Sequence, residues 1–172
     1  MLKASLLITI DSRQAADQGR IIDGTVKLDK LERLSGYLVD SDGVANVSMV
    51  FGVDEERIRY IKGCATTRVK MLCQRCLEPV TLELEAEMNL GIVADDEAAK
   101  QLPRYYDPYI VNEPRQDLYQ LVEEELILTL PLIAQHQDCV VKTEYGEAVV
   151  QSGDNDRKNP FNVLAQLKAN KH

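Results

Sequence analysis

Thr81-Leu82-Glu83-Leu84-Glu85-Ala86-Glu87-Met88 decides the fold: every second residue from Thr81 to Glu87 is polar or acidic, and each neighbour is apolar. Successive side chains of a strand point to opposite faces, so this period of two turns Leu82, Leu84, Ala86 and Met88 toward a core and the glutamates toward water. The strand extends over Val80–Val93. Upstream lie three more segments rich in β-formers, Val44–Val53, Arg57–Lys62 and Thr66–Leu72, separated by Asp54-Glu55-Glu56, Gly63 and the Cys73–Pro79 turn. Connections this short join antiparallel neighbours. The spacing predicts an α+β protein built on an antiparallel β-meander, with a barrel-like closure as one form it could take.

The flanks are less regular. Residues 2–10 read as a strand, Arg13–Gly19 as polar loop and Arg20–Val26 as a second strand, while Leu28, Leu31 and Leu34 fall three apart, as in one or two helical turns. Asp95–Arg104 is a charged connector with room for a short helix, and Tyr109–Val111 can add a strand. Asp117 is placed to cap a helix, with Gln120 completing a capping box. Leu118, Leu121, Val122 and Leu126 follow at helical spacing until Pro131. This is the one packed helix expected. Glu123, Glu124 and Glu125 on it read as a solvated face or, less simply, as a surface for a basic partner.

Residues 1–150 are expected to form a single domain, with 151–172 a flexible linker and short C-terminal helix. The polar run Gln151–Asn159 supplies the linker, and Asn159-Pro160 a cap and first-turn proline for a helix over Phe161–Lys168. Phe161, Val163, Leu164 and Leu167 are more apolar surface than a free arm should expose. They are the expected docking residues for a partner, the plainer alternative being that the helix packs on its own domain.

Composition excludes several classes. The chain has 172 residues, 45% hydrophobic and 28% charged, which is ordinary for a globular domain with a core of its own. A net charge of -8 works against coating nucleic acid through charge alone, and seven tyrosines, two phenylalanines and no tryptophan are too few for an extended base-stacking platform. No apolar run approaches the roughly 20 residues that span a bilayer, and the N-terminus is interrupted too early for a secretory signal. A cytoplasmic protein without membrane contact is expected.

The average charge hides a local exception. Arg57, Arg59, Lys62, Arg68, Lys70 and Arg75 fall in a stretch with no acidic residue, whereas residues 76–147 hold sixteen acids against four basic residues. If the chain reverses at Gly63, Arg57 and Arg59 share the solvent face of a hairpin with Arg68 and Lys70, a patch suited to a few phosphate or RNA contacts. The alternative is a solubilising sheet face paired with the neighbouring glutamates.

Cys73-Gln74-Arg75-Cys76 places two thiols at knuckle spacing in a turn between strands, and His136-Gln137-Asp138-Cys139 supplies an imidazole and a thiol at the same spacing. Together they make a three-cysteine, one-histidine set for zinc, tying the helix end to the sheet. Two alternatives stay open: small buried cysteines that pair by chance, and a redox couple, although the turn lacks the strand-to-helix setting of thioredoxins. No catalytic constellation and no phosphate-cradling glycine loop appears.

In order along the chain, five pieces resemble the YceD family of large ribosomal RNA subunit accumulation proteins: the Cys73-Gln74-Arg75-Cys76 turn with Pro79; Tyr106-Asp107-Pro108 leading to Val111-Asn112-Glu113; the helix from Asp117 through Leu130-Pro131; the His136 to Cys139 segment; and Asn159-Pro160-Phe161-Asn162-Val163-Leu164-Ala165-Gln166-Leu167-Lys168. The resemblance implies a non-enzymatic bacterial factor supporting 23S rRNA accumulation. Its implied partners are pre-ribosomal components, whether rRNA, a ribosomal protein or an assembly factor, with no small-molecule substrate. Some relatives carry extra cysteines after the helix, as in a fuller metal site, where this chain has His136 and Cys139. The rival expectations are a metal-dependent RNA-processing enzyme and a protein adaptor that touches no RNA.

Overall fold

The structure, a computed structural model, describes residues 4–141. Its elements run β1 (Thr9–Ile10), α1 (Ser12–Asp17), β2 (Ile21–Lys27), a 3-10 turn at Leu28–Lys30, α2 (Glu32–Ser35), β3 (Val44–Val53), β4 (Arg59–Leu72), β5 (Pro79–Val93), α3 (Asp96–Ala99), β6 (Asp107–Ile110), β7 (Gln116–Asp117) and α4 (Leu118–Leu128). Strands β2 to β6 form one sheet in sequence order, antiparallel from β2 to β5, and β1 pairs with β7 in a separate ladder. The fold is α+β. The sheet does not close into a barrel: β6 runs parallel to β5, reached through the connection that holds α3, and β2 and β6 are the two ends of the sheet order.

The alternation in β5 is realised. Leu84, Ala86, Met88 and Leu90 are buried, Leu82 is half-buried, and Glu83, Glu85 and Glu87 are exposed. With Ala45, Val47, Met49 and Phe51 of β3 and Ile61, Ala65 and Val69 of β4 they make one core face, onto which α4 sets Leu118, Leu121, Val122 and Leu126. Asp117 caps α4, accepting from the backbone N–H of Tyr119 at 2.7 Å and of Gln120 at 3.3 Å. Gln120 does not return to the cap; its side chain donates to Glu124 at 3.0 Å.

Four local expectations are corrected. Gly63 does not reverse the chain: β4 is one continuous strand, and the glycine is there because a Cβ would lie 2.2 Å from the Ser48 carbonyl oxygen. The segment read as loop before Gly19 is instead α1, capped by Asp11, whose carboxylate accepts from the Gln14 N–H at 2.9 Å. The expected first strand shrinks to β1 and an isolated bridge between Ser5 and Thr25. Finally, Glu123 is not solvated. It is 6% exposed, and its carboxylate accepts from the backbone N–H groups of Arg33 (2.7 Å) and Leu34 (3.1 Å), satisfying the open donors at the start of α2.

The chain divides into a unit Met1–Val141 and a second, Lys142–His172. The expected linker and C-terminal helix fall in the second and lie outside the described residues, as do Phe161, Val163, Leu164 and Leu167. Among the described residues no helix is long and apolar enough to cross a membrane.

Candidate metal centre

The loop joining β4 to β5 is drawn tight by its own backbone. Cys73 N–H donates to Glu78 O and Leu77 N–H to Cys73 O, both at 2.9 Å, and Leu77 takes a left-handed φ of 58° to close the turn. That geometry buries the side chains of Cys73 and Cys76. The second pair arrives after α4. Past Pro131 the chain turns back, Ala134 is buried against the knuckle, and its carbonyl accepts from Gln74 N–H at 2.8 Å. Arg75 adds two clamps, donating to Cys139 O at 3.2 Å and to Gln135 Oε1 at 3.0 Å.

These contacts bring together the four residues expected from the spacing. One ligand atom from each of Cys73, Cys76, His136 and Cys139 lies within 4.8 Å of every other. The Cys73 and Cys139 sulfurs are 3.7 Å apart, and Cys76 Sγ is 3.3 Å from His136 Nδ1. A tetrahedral zinc ion with bonds of about 2.3 Å to sulfur has sulfur–sulfur edges of about 3.8 Å, so the set is near the size of one coordination shell. His136 Nε2 is 3.1 Å from the Pro79 carbonyl oxygen, which accepts only from a protonated nitrogen; in a neutral imidazole that contact leaves the Nδ1 lone pair facing the sulfurs.

The electrostatics match thiolate ligation. Burial works against charge on Cys73, but the backbone N–H groups of Cys76, Arg75 and His136 and the His136 side chain act on its sulfur, and the net effect lowers its pKa to about 5. Cys139 is pushed the other way, by burial first and then by the Cys73 and Cys76 sulfurs beside it. Crowded thiols that disfavour a second negative charge are an environment a divalent cation relieves. Cys64 is not part of the set; it is half-buried on β4, across from Ser48 and Glu87.

The six basic residues do not gather into one patch. On a continuous β4, Arg59 has the opposite parity to Lys62, Arg68 and Lys70, so it points to the other face. Arg59 holds Asp17 of α1 through two hydrogen bonds of 2.7 and 3.1 Å, Lys70 holds Asp40 at 2.9 Å, and Arg68 pairs with Glu83 across the β4–β5 register. Arg75 is engaged in the knuckle. Arg57 and Lys62 are the two of the six without a carboxylate or carbonyl partner for their side chains among the described residues. Arg57 precedes β4, and Lys62 lies near its first residues, where the fold also collects Tyr60, Tyr105 and Tyr106. Sequence spacing carries no trace of that cluster beyond the Tyr105-Tyr106 pair, because Tyr60 comes from a different element.

A family model described as large ribosomal RNA subunit accumulation protein YceD matches residues 61–168. A Haemophilus influenzae protein named large ribosomal RNA subunit accumulation protein YceD is 36% identical over 172 residues, covering 98% of this chain and 99% of the relative. No solved structure matches. The family match takes in nearly all of β4, the whole of β5 and α4, and all four residues of the thiol–imidazole cluster; this chain belongs to the YceD family of large ribosomal RNA subunit accumulation proteins.

Proposed function

We propose that this protein supports the accumulation of large-subunit ribosomal RNA as a binding factor rather than a catalyst, and that it carries a structural zinc ion. The observation that carries the first part is the end-to-end likeness to a relative whose name states that role. Such a factor works where ribosomes are assembled, in the bacterial cytoplasm, and its partners are components of the immature large subunit.

Zinc is supported by the donor set. Cys73, Cys76, His136 and Cys139 would hold it, and its contribution would be charge neutralisation and crosslinking of the β4–β5 loop to the segment after α4. Four protein donors complete a tetrahedral shell, while catalytic zinc sites keep a position open for water or substrate. That closed set favours structure over hydrolysis and weighs against an RNA-processing enzyme.

Cells lacking the protein should show a reduced ratio of large- to small-subunit rRNA, restored by the wild-type chain. Normal rRNA levels without it would overturn the reading. Protein purified without chelator should hold close to one zinc per chain; a metal-free preparation with an unchanged melting curve would remove zinc while leaving the rRNA role standing. Specific cleavage of precursor rRNA by the purified protein would favour the enzyme instead.

A further inference from the structure

The end of the sheet away from the knuckle holds three tyrosines in contact. Tyr60 and Tyr106 stack with ring centroids 6.2 Å apart and planes 13° from parallel, and Tyr105 meets Tyr106 at 4.7 Å. Lys62 sits on this cluster, its Nζ 4.8 Å from the Tyr60 centroid and 5.7 Å from that of Tyr106. The backbone makes the arrangement. Tyr60 is in register with Gly52 on one neighbouring strand and Gly91 on the other. A Cβ on Gly52 would lie 2.6 Å from the Tyr60 hydroxyl, and one on Gly91 would lie 2.9 Å from the Leu102 side chain and 3.3 Å from Tyr106 Cβ.

Filling the space over two glycines accounts for Tyr60 and for Tyr106, which is 4% exposed. It does not account for Tyr105, which is 55% exposed and whose backbone carbonyl is anchored by the Asn89 amide. Nor does it account for the charge. Of the basic residues near this end, Arg59 is neutralised by Asp17, but Arg57, Lys62 and Arg104 form no ion pair among the described residues. Of the nearby acids, Asp54 is engaged, accepting from the Tyr106 hydroxyl at 3.1 Å and the Ile58 N–H at 2.8 Å. Burial raises the Tyr105 pKa, and the charges of Glu56 and Asp54 act in the same direction.

An exposed ring on a tyrosine cluster that also carries the unpaired Lys62 suits unpaired bases of single-stranded RNA: the base stacks on the ring and its phosphate meets the cation. We propose that Tyr105, backed by Tyr106 and Tyr60 and with Lys62 over the cluster, is a stacking site for one or two unpaired RNA bases. The proposal rests on the rRNA reading and deepens it. Three tyrosines make a local platform, not an extended one, and the acids at its edge exclude a long phosphate track.

Fluorescence anisotropy of the full-length protein with short oligo(A) and oligo(U) probes tests this directly. Tyr105→Ala should weaken binding about tenfold or more, the loss of one base–aromatic stack. Tyr105→Phe, which keeps the ring, should bind like wild type, and both should melt like wild type. Lys62→Ala should weaken binding a few-fold and flatten the log–log salt slope by about 0.7, one single-strand phosphate contact. A wild-type chain that binds neither probe, or a Tyr105→Ala chain that binds both as well as wild type, would overturn the proposal. So would binding of an Arg- and Lys-rich peptide at this ring in place of RNA. The rRNA assay separates the two readings. If Tyr105→Ala restores large-subunit rRNA as fully as wild type, the platform fails and the accumulation role stands; if wild type fails to restore it, the accumulation role fails, and the oligonucleotide result decides the platform alone.

Discussion

The two ends of the β4–β5 hairpin are built by opposite means. At the loop end, Cys73 and Cys76 come from six residues of tight turn, and the partners His136 and Cys139 are held against them by hydrogen bonds from Gln74 and Arg75. At the open end, roughly 40 Å back along the strand at about 3.3 Å per residue, Tyr60, Tyr105 and Tyr106 meet, with Gly52 leaving room for the Tyr60 ring and Gly91 for Leu102 and the Tyr106 Cβ. The loop end is closed, thiol-rich and buried. The open end is aromatic and partly exposed, with Lys62 over its rings. If the proposed zinc and RNA sites hold, one sheet separates a structural end from a binding end, and substitutions at the two ends should fail differently.

The largest effect is expected at the loop end. Structural zinc sites carry apparent binding energies of about 10–16 kcal/mol at neutral pH, much of it realised as folding energy. Cys139→Ser should abolish stoichiometric zinc by elemental analysis and lower the Tm more than any substitution below, and Cys64→Ser should do neither. Equal zinc in both variants would erase the distinction between the ends.

Next comes Gly63→Ala, midway along β4. The new Cβ would press on the Ser48 carbonyl and Met49 Cα, backbone that cannot step aside, so a loss of about 3 kcal/mol in urea unfolding is expected. Gly52→Ala presses only on the tip of Tyr60, a side chain that can swing. It should cost about 1 kcal/mol, yet change the near-ultraviolet tyrosine signal and weaken the oligonucleotide probe. If Gly52→Ala is the costlier of the two, the tyrosine end is the more rigid one and the comparison inverts.

Glu123→Ala leaves two backbone donors of α2 without a partner and should cost about 1–3 kcal/mol. Glu124→Ala removes an exposed pair with Arg33 and an exposed hydrogen bond from Gln120, and should change chemical unfolding by less than about 0.5 kcal/mol. The smallest effect is expected from Arg68→Ala, whose exposed pair with Glu83 lies between the ends: no measurable change in melting, zinc or oligonucleotide affinity. A loss of affinity there would extend the RNA contact along the sheet, toward the six-residue basic face that the sequence predicts.

Local patterns were legible where chemistry is local. The alternation of Thr81 to Met88 assigned β5 and its faces, Val44–Val53 was bounded correctly from composition alone, Asp117 announced the start of α4, and the two Cys/His pairs at the same spacing named the residues that converge. Each depends on residues within one or two turns or along one strand, where periodicity translates directly into geometry. What failed was also local in appearance. Gly63 was indistinguishable from a turn glycine, because a close approach by Ser48 on a neighbouring strand leaves no mark near position 63. Glu123 looked like its neighbours Glu124 and Glu125, because only the packing of α2 against α4 turns one of three glutamates inward.

The residues themselves therefore determined the strands of the meander, the capped helix and the donor set, since backbone sterics and side-chain alternation act on neighbours in the chain. Tertiary structure alone decided which basic residues stay free, which glutamate is buried and where the tyrosines meet. Those depend on strand register and on the parity of one uninterrupted β4. A single reversal at Gly63 would have brought both basic pairs onto one face; without it, Arg59 and Arg68 look in opposite directions.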